Sequence, residues 1–165
     1  MTLRAAKIAM VCAAALYYSL VVFNNLTDYD TNFQFVRHVL SMDTIFPGEH
    51  SVWRALTAHS WHTLFYGGII VWESTSALLC WWGALQMAKA MKRSAETFHQ
   101  SKNIAIAGLV LGLLLWLVAF IAVGGEWFLM WQSKLWNGQE TAARLFVIFA
   151  ILLVFLALPD AEAQP

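Results

Sequence analysis

Charged side chains are scarce in this sequence. They make up 12% of its 165 residues, whereas soluble domains carry about a quarter. Ten basic residues balance ten acidic ones and no basic cluster is present, so nucleic acid is not an expected partner. Only two cysteines occur, Cys12 and Cys80, which give no disulfide framework and do not have the spacing of a Cys-x-x-Cys metal motif.

Familiar catalytic motifs are also missing. The sequence has no Gly-x-Ser-x-Gly nucleophile turn, no glycine-rich phosphate loop and no His-Glu-x-x-His zinc motif. Membrane enzymes can lack such motifs, so their absence does not exclude an enzyme. It favours a protein that is not an enzyme.

Hydrophobic residues are abundant, at 60% of the chain, and they concentrate in four long runs. A run of this length is typical of a helix that crosses a bilayer, where every backbone polar group needs an internal partner. The sequence therefore predicts an all-α fold, one membrane domain over residues 1–165 with four transmembrane helices. The expected spans are residues 5–23, 63–87, 104–130 and 142–158. The first run also fits a signal peptide, but no small-x-small cleavage site follows it.

The distribution of Lys and Arg predicts the orientation. Six of these residues lie at the start of the first span or in the short connection between the second and third spans: Arg4, Lys7, Lys89, Lys92, Arg93 and Lys102. Four lie on the other side: Arg37, Arg54, Lys134 and Arg144. The positive-inside rule then places both termini in the cytoplasm and the long loop, residues 24–62, on the outer (periplasmic) face.

Apolar and polar residues alternate irregularly in the outer loop between Phe33 and Leu40. This pattern predicts a short helix lying on the outer membrane surface. Asp43 and the Phe46-Pro47-Gly48 turn are expected to end it. Several tryptophans lie near the predicted membrane boundaries, as in an interfacial aromatic belt.

Glu73 is the strongest individual signal, because it lies near the middle of the second span, where an ionised acid is costly. Helical spacing places it on one face with His62, Tyr66, Ser76 and Cys80. Two interpretations follow. In the first, these five residues form a polar stripe that serves as a proton or cation path or as a ligand site. In the second, a neutral Glu73 joins neighbouring helices through hydrogen bonds.

The third span carries small residues, Gly108 and Gly112 and then Ala119 and Ala122, which predict close helix packing and lead to Glu126 on the same face. Glu126 is expected near the outer interface. It is either a ligand-binding residue or the ion-pair partner of Arg144 at the start of the fourth span.

Further candidates gather at the outer face. The ligand or proton-path set comprises Glu73, Tyr66, Ser76, Glu126, Asn25, Asp28, Asp43, Trp127 and Trp131. The i, i+3 spacing of His59 and His62 allows two imidazoles on one metal ion, with His38 or Glu126 as further ligands. No histidine lies deep inside a span, so a haem is not expected within this chain alone; a haem or a quinone is expected only against a partner subunit, near His38 and His62.

Three segments, read together, resemble a known family. They are NNLTDYDTNFQFVRHVLSMDTIFP after the first span, VWES in the second, and GGEWFLMWQSKLWNGQ at the end of the third. They resemble the DUF2165 family of predicted small bacterial integral membrane proteins. The resemblance implies a four-span protein of the bacterial inner membrane and no particular activity. The matching positions are Asn25, Asp28, Tyr29, Asn32, His38, Asp43, Glu73, Glu126, Trp127, Trp131, Trp136, Asn137 and Gly138.

Three functional hypotheses follow. The first is an auxiliary or assembly subunit that binds another membrane protein or a second copy of itself, since the chain is small and rich in interfacial aromatic residues. The second is a membrane protein that handles a small ligand, a metal or protons through the outer-face cluster and Glu73. The third is a quinone- or haem-linked redox subunit.

Overall fold

The protein is helical throughout the part described by a computed structural model, residues 2–160, which contains no β-strand. Four helical stretches in that range are long and apolar enough to cross a membrane: Thr2–Thr27, His59–Ala90, Ala95–Trp127 and Gln139–Ala157. The predicted all-α fold with four transmembrane helices is confirmed. The orientation of the termini stays a prediction.

The described residues form six α-helices: α1 (Thr2–Thr27), α2 (Tyr29–Ser41), α3 (His59–Ala90), α4 (Ala95–Ser101), α5 (Asn103–Leu114) and α6 (Gln139–Ala157). A π-helical segment, Leu115–Trp127, continues α5, and short 3-10 helices lie at His50–Arg54 and Met130–Gln132. The third helical stretch ends three residues before the predicted end of its span at residue 130. The chain turns there because the Phe128 N–H bonds to Val123 O and Leu129 adopts a left-handed backbone, with φ of 54°.

Helix α3 packs between α1 and α5 at the centre of the bundle. The approach to α5 is very close, since a Cβ added at Gly83 would lie 2.5 Å from the Ala105 Cα atom. One added at Gly108 would lie 2.8 Å from Cys80 Sγ. Glycine is therefore required at this crossing, and the close packing expected of the third span is present.

The π-helical segment changes which side chains of the third span share a face. Gly108 and Gly112 are buried in α5, whereas Ala122 and Glu126 are exposed. The predicted continuation of the small-residue face to Glu126 is wrong, because i→i+5 hydrogen bonding abandons the 3.6-residue periodicity on which it relied.

Both termini of the described chain lie at one end of the bundle, here called the terminal end. Lys7 of α1 and Lys102, just before α5, are both fully buried, and their ammonium groups lie 2.8 Å and 2.5 Å from the Asp160 carboxylate. They also donate to backbone carbonyls at the end of α6, Lys7 to Leu158 at 2.5 Å and Lys102 to Leu156 at 3.0 Å.

Helix α2 covers the opposite end, here called the loop end. Its apolar residues Phe33, Val36 and Leu40 are buried against a cluster that includes Tyr66 of α3 and Phe128. Polar contacts tie the following loop to the 3-10 helix at Met130–Gln132, where Gln132 donates to Glu49 and accepts from the Phe46 N–H. The structure thus contains a short helix within the predicted outer loop, while its position on the membrane surface stays a prediction.

Candidate functional site

Glu73 lies near the middle of α3 and is only 2% exposed. The five residues of the predicted polar stripe, His62, Tyr66, Glu73, Ser76 and Cys80, are all buried on this helix. A carboxyl group so far from bulk water needs polar partners within the protein. The neighbouring helices supply them.

The described hydrogen-bond partner of Glu73 is Asn25 of α1, and residues of α2 and α3 bond to Asn25 in turn. Asn25 Nδ2 donates to Glu73 Oε2 at 2.7 Å. Asn25 Oδ1 in turn accepts from Asn32 Nδ2 at 2.8 Å and from the Tyr66 hydroxyl at 3.3 Å. Two donors at the oxygen orient the Asn25 amide so that its NH₂ group faces the carboxylate. Helices α1, α2 and α3 are thereby joined around one acid.

A cavity of about 440 Å³ adjoins this network. Its polar lining residues are Asn24, Asn25, Asn32, Tyr66, Glu73, Asn137 and Thr141. Its larger aromatic lining residues are Phe35, Trp116 and Phe120. Glu73 is the one carboxylic acid in this lining, and no Lys, Arg or His of the described chain lines the cavity, so Glu73 has no cationic neighbour in the wall. The cavity lies within the size range of small-molecule sites.

Ser76 does not take part in the described Glu73 network, although it is buried on the same helix. Its hydroxyl donates to the Trp72 carbonyl, one turn earlier, at 3.0 Å. Such back-bonding is the usual solution for a hydroxyl in an apolar helix. Of the predicted ligand residues, the structure brings together Asn25, Tyr66 and Glu73.

The predicted metal ligands do not meet. His38 pairs with Asp43 at 2.8 Å and stacks on Trp136, with ring centroids 4.6 Å apart. His62 Nε2 lies 2.7 Å from the Leu56 carbonyl. Within residues 2–160 no three His, Cys, Asp or Glu side chains are placed to share a metal ion.

The remaining candidates lie at the surface of the loop end. Asp28 is exposed and accepts a hydrogen bond from the Thr31 hydroxyl at 2.9 Å. His59 lies beside Thr63, 3.4 Å from its hydroxyl. Glu126 is exposed, and the described ion pairs include none between it and Arg144.

Trp127 and Trp131 are both about half exposed, and neither lines the Glu73 cavity. Trp127 packs edge-to-face on Trp53, with Arg54 4.8 Å from the Trp127 ring centroid. Trp131 packs edge-to-face on Phe46.

Several residues of the cavity were not identified as ligand candidates from the sequence. Asn32 and Asn137 stand in the segments that carry the family resemblance, which was their only signal. Trp116 and Thr141 had none, because nothing in the sequence of a helix indicates which of its side chains faces a neighbouring helix. The buried cluster of Lys7, Lys102 and Asp160 was also missed, since both lysines read as flanking charges.

Comparison with known families agrees with this architecture. The model of a family described as predicted small integral membrane proteins, DUF2165, matches residues 3–159. The chain belongs to the DUF2165 family. Membership establishes an integral membrane protein, which contacts the lipid bilayer, and agrees with the resemblance seen in the sequence. Among curated proteins and solved structures, none matches the chain.

Proposed function

We propose that this DUF2165 protein binds a small organic cation at Glu73. The observation that carries the proposal is a buried carboxyl group in the wall of a cavity of about 440 Å³ that has no basic lining residue in the described chain. The proposal takes up the small-ligand hypothesis and leaves its metal version aside.

The charge of Glu73 favours a cationic ligand. One hydrogen bond from Asn25 offsets only part of the cost of an ionised carboxylate removed from water. A bound ammonium group supplies the missing counter-charge. The lining asparagines other than Asn25, whose oxygen already accepts two hydrogen bonds, have side-chain oxygens that can accept its N–H groups.

The aromatic lining favours the same class of ligand. Tyr66, Trp116 and Phe120 all border the cavity that contains Glu73. Aromatic faces attract ammonium groups by cation–π interaction, with a strength of about 0.5–2 kcal/mol. A carboxylate beside aromatic rings is the combination that alkylammonium recognition needs.

Ligand-induced stabilisation tests the proposal. Purified protein in lipid nanodiscs is titrated with butylammonium and with uncharged butanol, and its unfolding midpoint is measured. A ligand at a hundred times its dissociation constant adds about 2.7 kcal/mol to the unfolding free energy. We expect butylammonium to stabilise the wild type, butanol to have little effect, and Glu73→Gln to abolish the difference.

Glu126→Gln is the matched control, because Glu126 is exposed and does not line the cavity. It should respond to butylammonium as the wild type does. Equal stabilisation of the wild type and a folded Glu73→Gln variant, or equal effects of the amine and the alcohol, would refute the proposal.

A second candidate function is the auxiliary subunit of a membrane complex. It is supported by exposed aromatic side chains at the loop end, where Trp53 is 74% exposed beside Arg54 and Trp127. Tryptophan and arginine are preferred anchors of protein interfaces. A single chain with no copurifying protein after mild extraction would count against it.

We further propose that the protein resides in a bacterial inner membrane with its terminal end in the cytoplasm. Three basic side chains, Lys89, Lys92 and Arg93, are exposed at that end. The positive-inside rule supports this orientation, and the family resemblance supports the bacterial location.

A further inference from the structure

A second cavity, of about 550 Å³, lies between α2, α3 and the π-helical segment. Its lining is apolar and includes Leu64, Phe65, Trp72, Val118 and Val123. The neighbouring Glu73 cavity supplies charge and hydrogen-bonding groups, whereas this one supplies only apolar contact.

The two cavities share four lining residues, Phe35, Val36, Ile69 and Phe120. The Phe35 and Phe120 rings face each other with centroids 6.2 Å apart and planes 25° from parallel. The polar and apolar cavities are therefore adjacent. A single ligand with a polar end and an apolar end can contact both.

We propose that the ligand is an alkylammonium amphiphile, with its ammonium group at Glu73 and its alkyl chain in the apolar cavity. This inference rests on the proposed function, since it adds the chain to the cationic group already assigned to the Glu73 cavity.

Charge determines which amphiphiles suit the site. A fatty acid or a phospholipid phosphate would place a negative group beside Glu73, in a cavity wall where the described chain has no basic residue. Like charges at close range in an apolar environment repel strongly. An amphiphile with a cationic head and no nearby anionic group is therefore selected.

The alkyl chain is expected to contribute by fit, with little gain from the hydrophobic effect. In a membrane the chain leaves lipid tails that are as apolar as the cavity, so its transfer supplies little free energy. A comparison of amines that differ only in alkyl-chain length is thus a weak test of the inference. A substitution that fills the apolar cavity is a stronger test, because it affects the site of the alkyl chain and leaves the ammonium site at Glu73 intact.

Gly68 offers a position for this test. It lines the apolar cavity but not the Glu73 cavity, and a Cβ added there would have no atom within 4 Å. Gly68→Leu therefore adds side-chain atoms to the wall without a clash at the point of attachment. Gly67→Leu is the matched control, since Gly67 has equally open surroundings and lines neither cavity.

The experiment measures binding of butylammonium and dodecylammonium to each variant in lipid nanodiscs, with both amines dilute in the bilayer. A leucine side chain in the apolar cavity takes up space that the alkyl chain would occupy, so we expect Gly68→Leu to weaken dodecylammonium binding about tenfold and to leave butylammonium binding unchanged. Gly67→Leu should leave both unchanged, and comparison between variants cancels the partitioning of the amine into lipid.

Three results would be informative. Unchanged dodecylammonium binding in folded Gly68→Leu would overturn the inference, and the proposed function would stand if butylammonium still required Glu73. An equal loss of binding of both amines in Gly68→Leu would also overturn the inference, because the alkyl chain would then have no site separate from that of the ammonium group. If binding of neither amine depends on Glu73, the proposed function is wrong and the inference is wrong with it.

Discussion

Replacement of Asp160 by Asn tests the charge cluster that closes the terminal end. The Asp160 carboxylate is buried between the ammonium groups of Lys7 and Lys102, which are themselves fully buried. The substitution keeps the shape of the side chain and removes its charge. Two like charges then remain close together away from water, which is strongly unfavourable.

The expected loss of unfolding free energy follows from the contacts that remain. Breaking a buried ion pair by removing one partner costs about 3–5 kcal/mol. Lys7 and Lys102 keep hydrogen bonds to carbonyls at the end of α6, which moderates the penalty. We therefore expect Asp160→Asn to lower the unfolding free energy by about 3 kcal/mol.

The assay is denaturant unfolding of the purified protein in detergent micelles, followed by circular dichroism. Asp30→Asn is the control, because Asp30 is exposed and bonds only to half-buried Gln34 among the described contacts. It should change the unfolding free energy by less than about 0.5 kcal/mol. Replacing the cluster with Lys7→Met, Lys102→Met and Asp160→Leu together should cost less than Asp160→Asn alone, since no charge is then left unpaired.

The cluster also predicts a pH dependence. Burial alone raises the pKa of Asp160, but hydrogen bonds and charges from Lys102 and Lys7 outweigh it and hold the pKa below its usual value. The unfolded pKa is roughly 3.9. The stabilisation is therefore complete above that value and is lost as pH falls through the lower folded pKa. The difference between the wild type and Asp160→Asn should stay constant at neutral pH and shrink in acid.

Two results would refute this reasoning. One is a folded Asp160→Asn variant that unfolds at the same denaturant concentration as the wild type. The other is a difference between the two proteins that grows on acidification, since that requires a folded pKa above the unfolded one.

Two further predictions concern packing and orientation. Gly83→Ala should lower the unfolding free energy by about 1–3 kcal/mol, because the added methyl group would collide with Ala105. Gly67→Ala should raise the unfolding free energy by up to about 1 kcal/mol, because Gly67 has open space around it and alanine favours the helix. Denaturant titration of both variants in detergent checks this, and an equal effect at the two glycines would contradict it. In a cysteine-free background, an impermeant maleimide should label Trp53→Cys in intact cells and Lys92→Cys only after permeabilisation. The reverse pattern would refute the proposed orientation.

The candidate site was partly predictable. Glu73 stood out because an acid inside a long apolar run is costly and therefore conspicuous, and helical spacing correctly placed Tyr66 on its buried face. Asn25 was a candidate only as a polar residue near the end of the first span, with no indication that its amide reaches Glu73. Such a contact depends on the rotation of α1 relative to α3, which the hydropathy of either helix does not specify.

The sequence by itself determined the class of protein and the number of its transmembrane helices. The transfer of apolar side chains into lipid depends on each run alone, and in lipid the backbone N–H and C=O groups of each run must form hydrogen bonds within that run. Only the tertiary structure decided which faces meet. The π-helical segment at Leu115–Trp127 reorients the end of the third span, and the α6 terminus brings Asp160 to two lysines distant in sequence. The Glu73 cavity arises in the same way, from side chains on several helices whose packing no single run encodes.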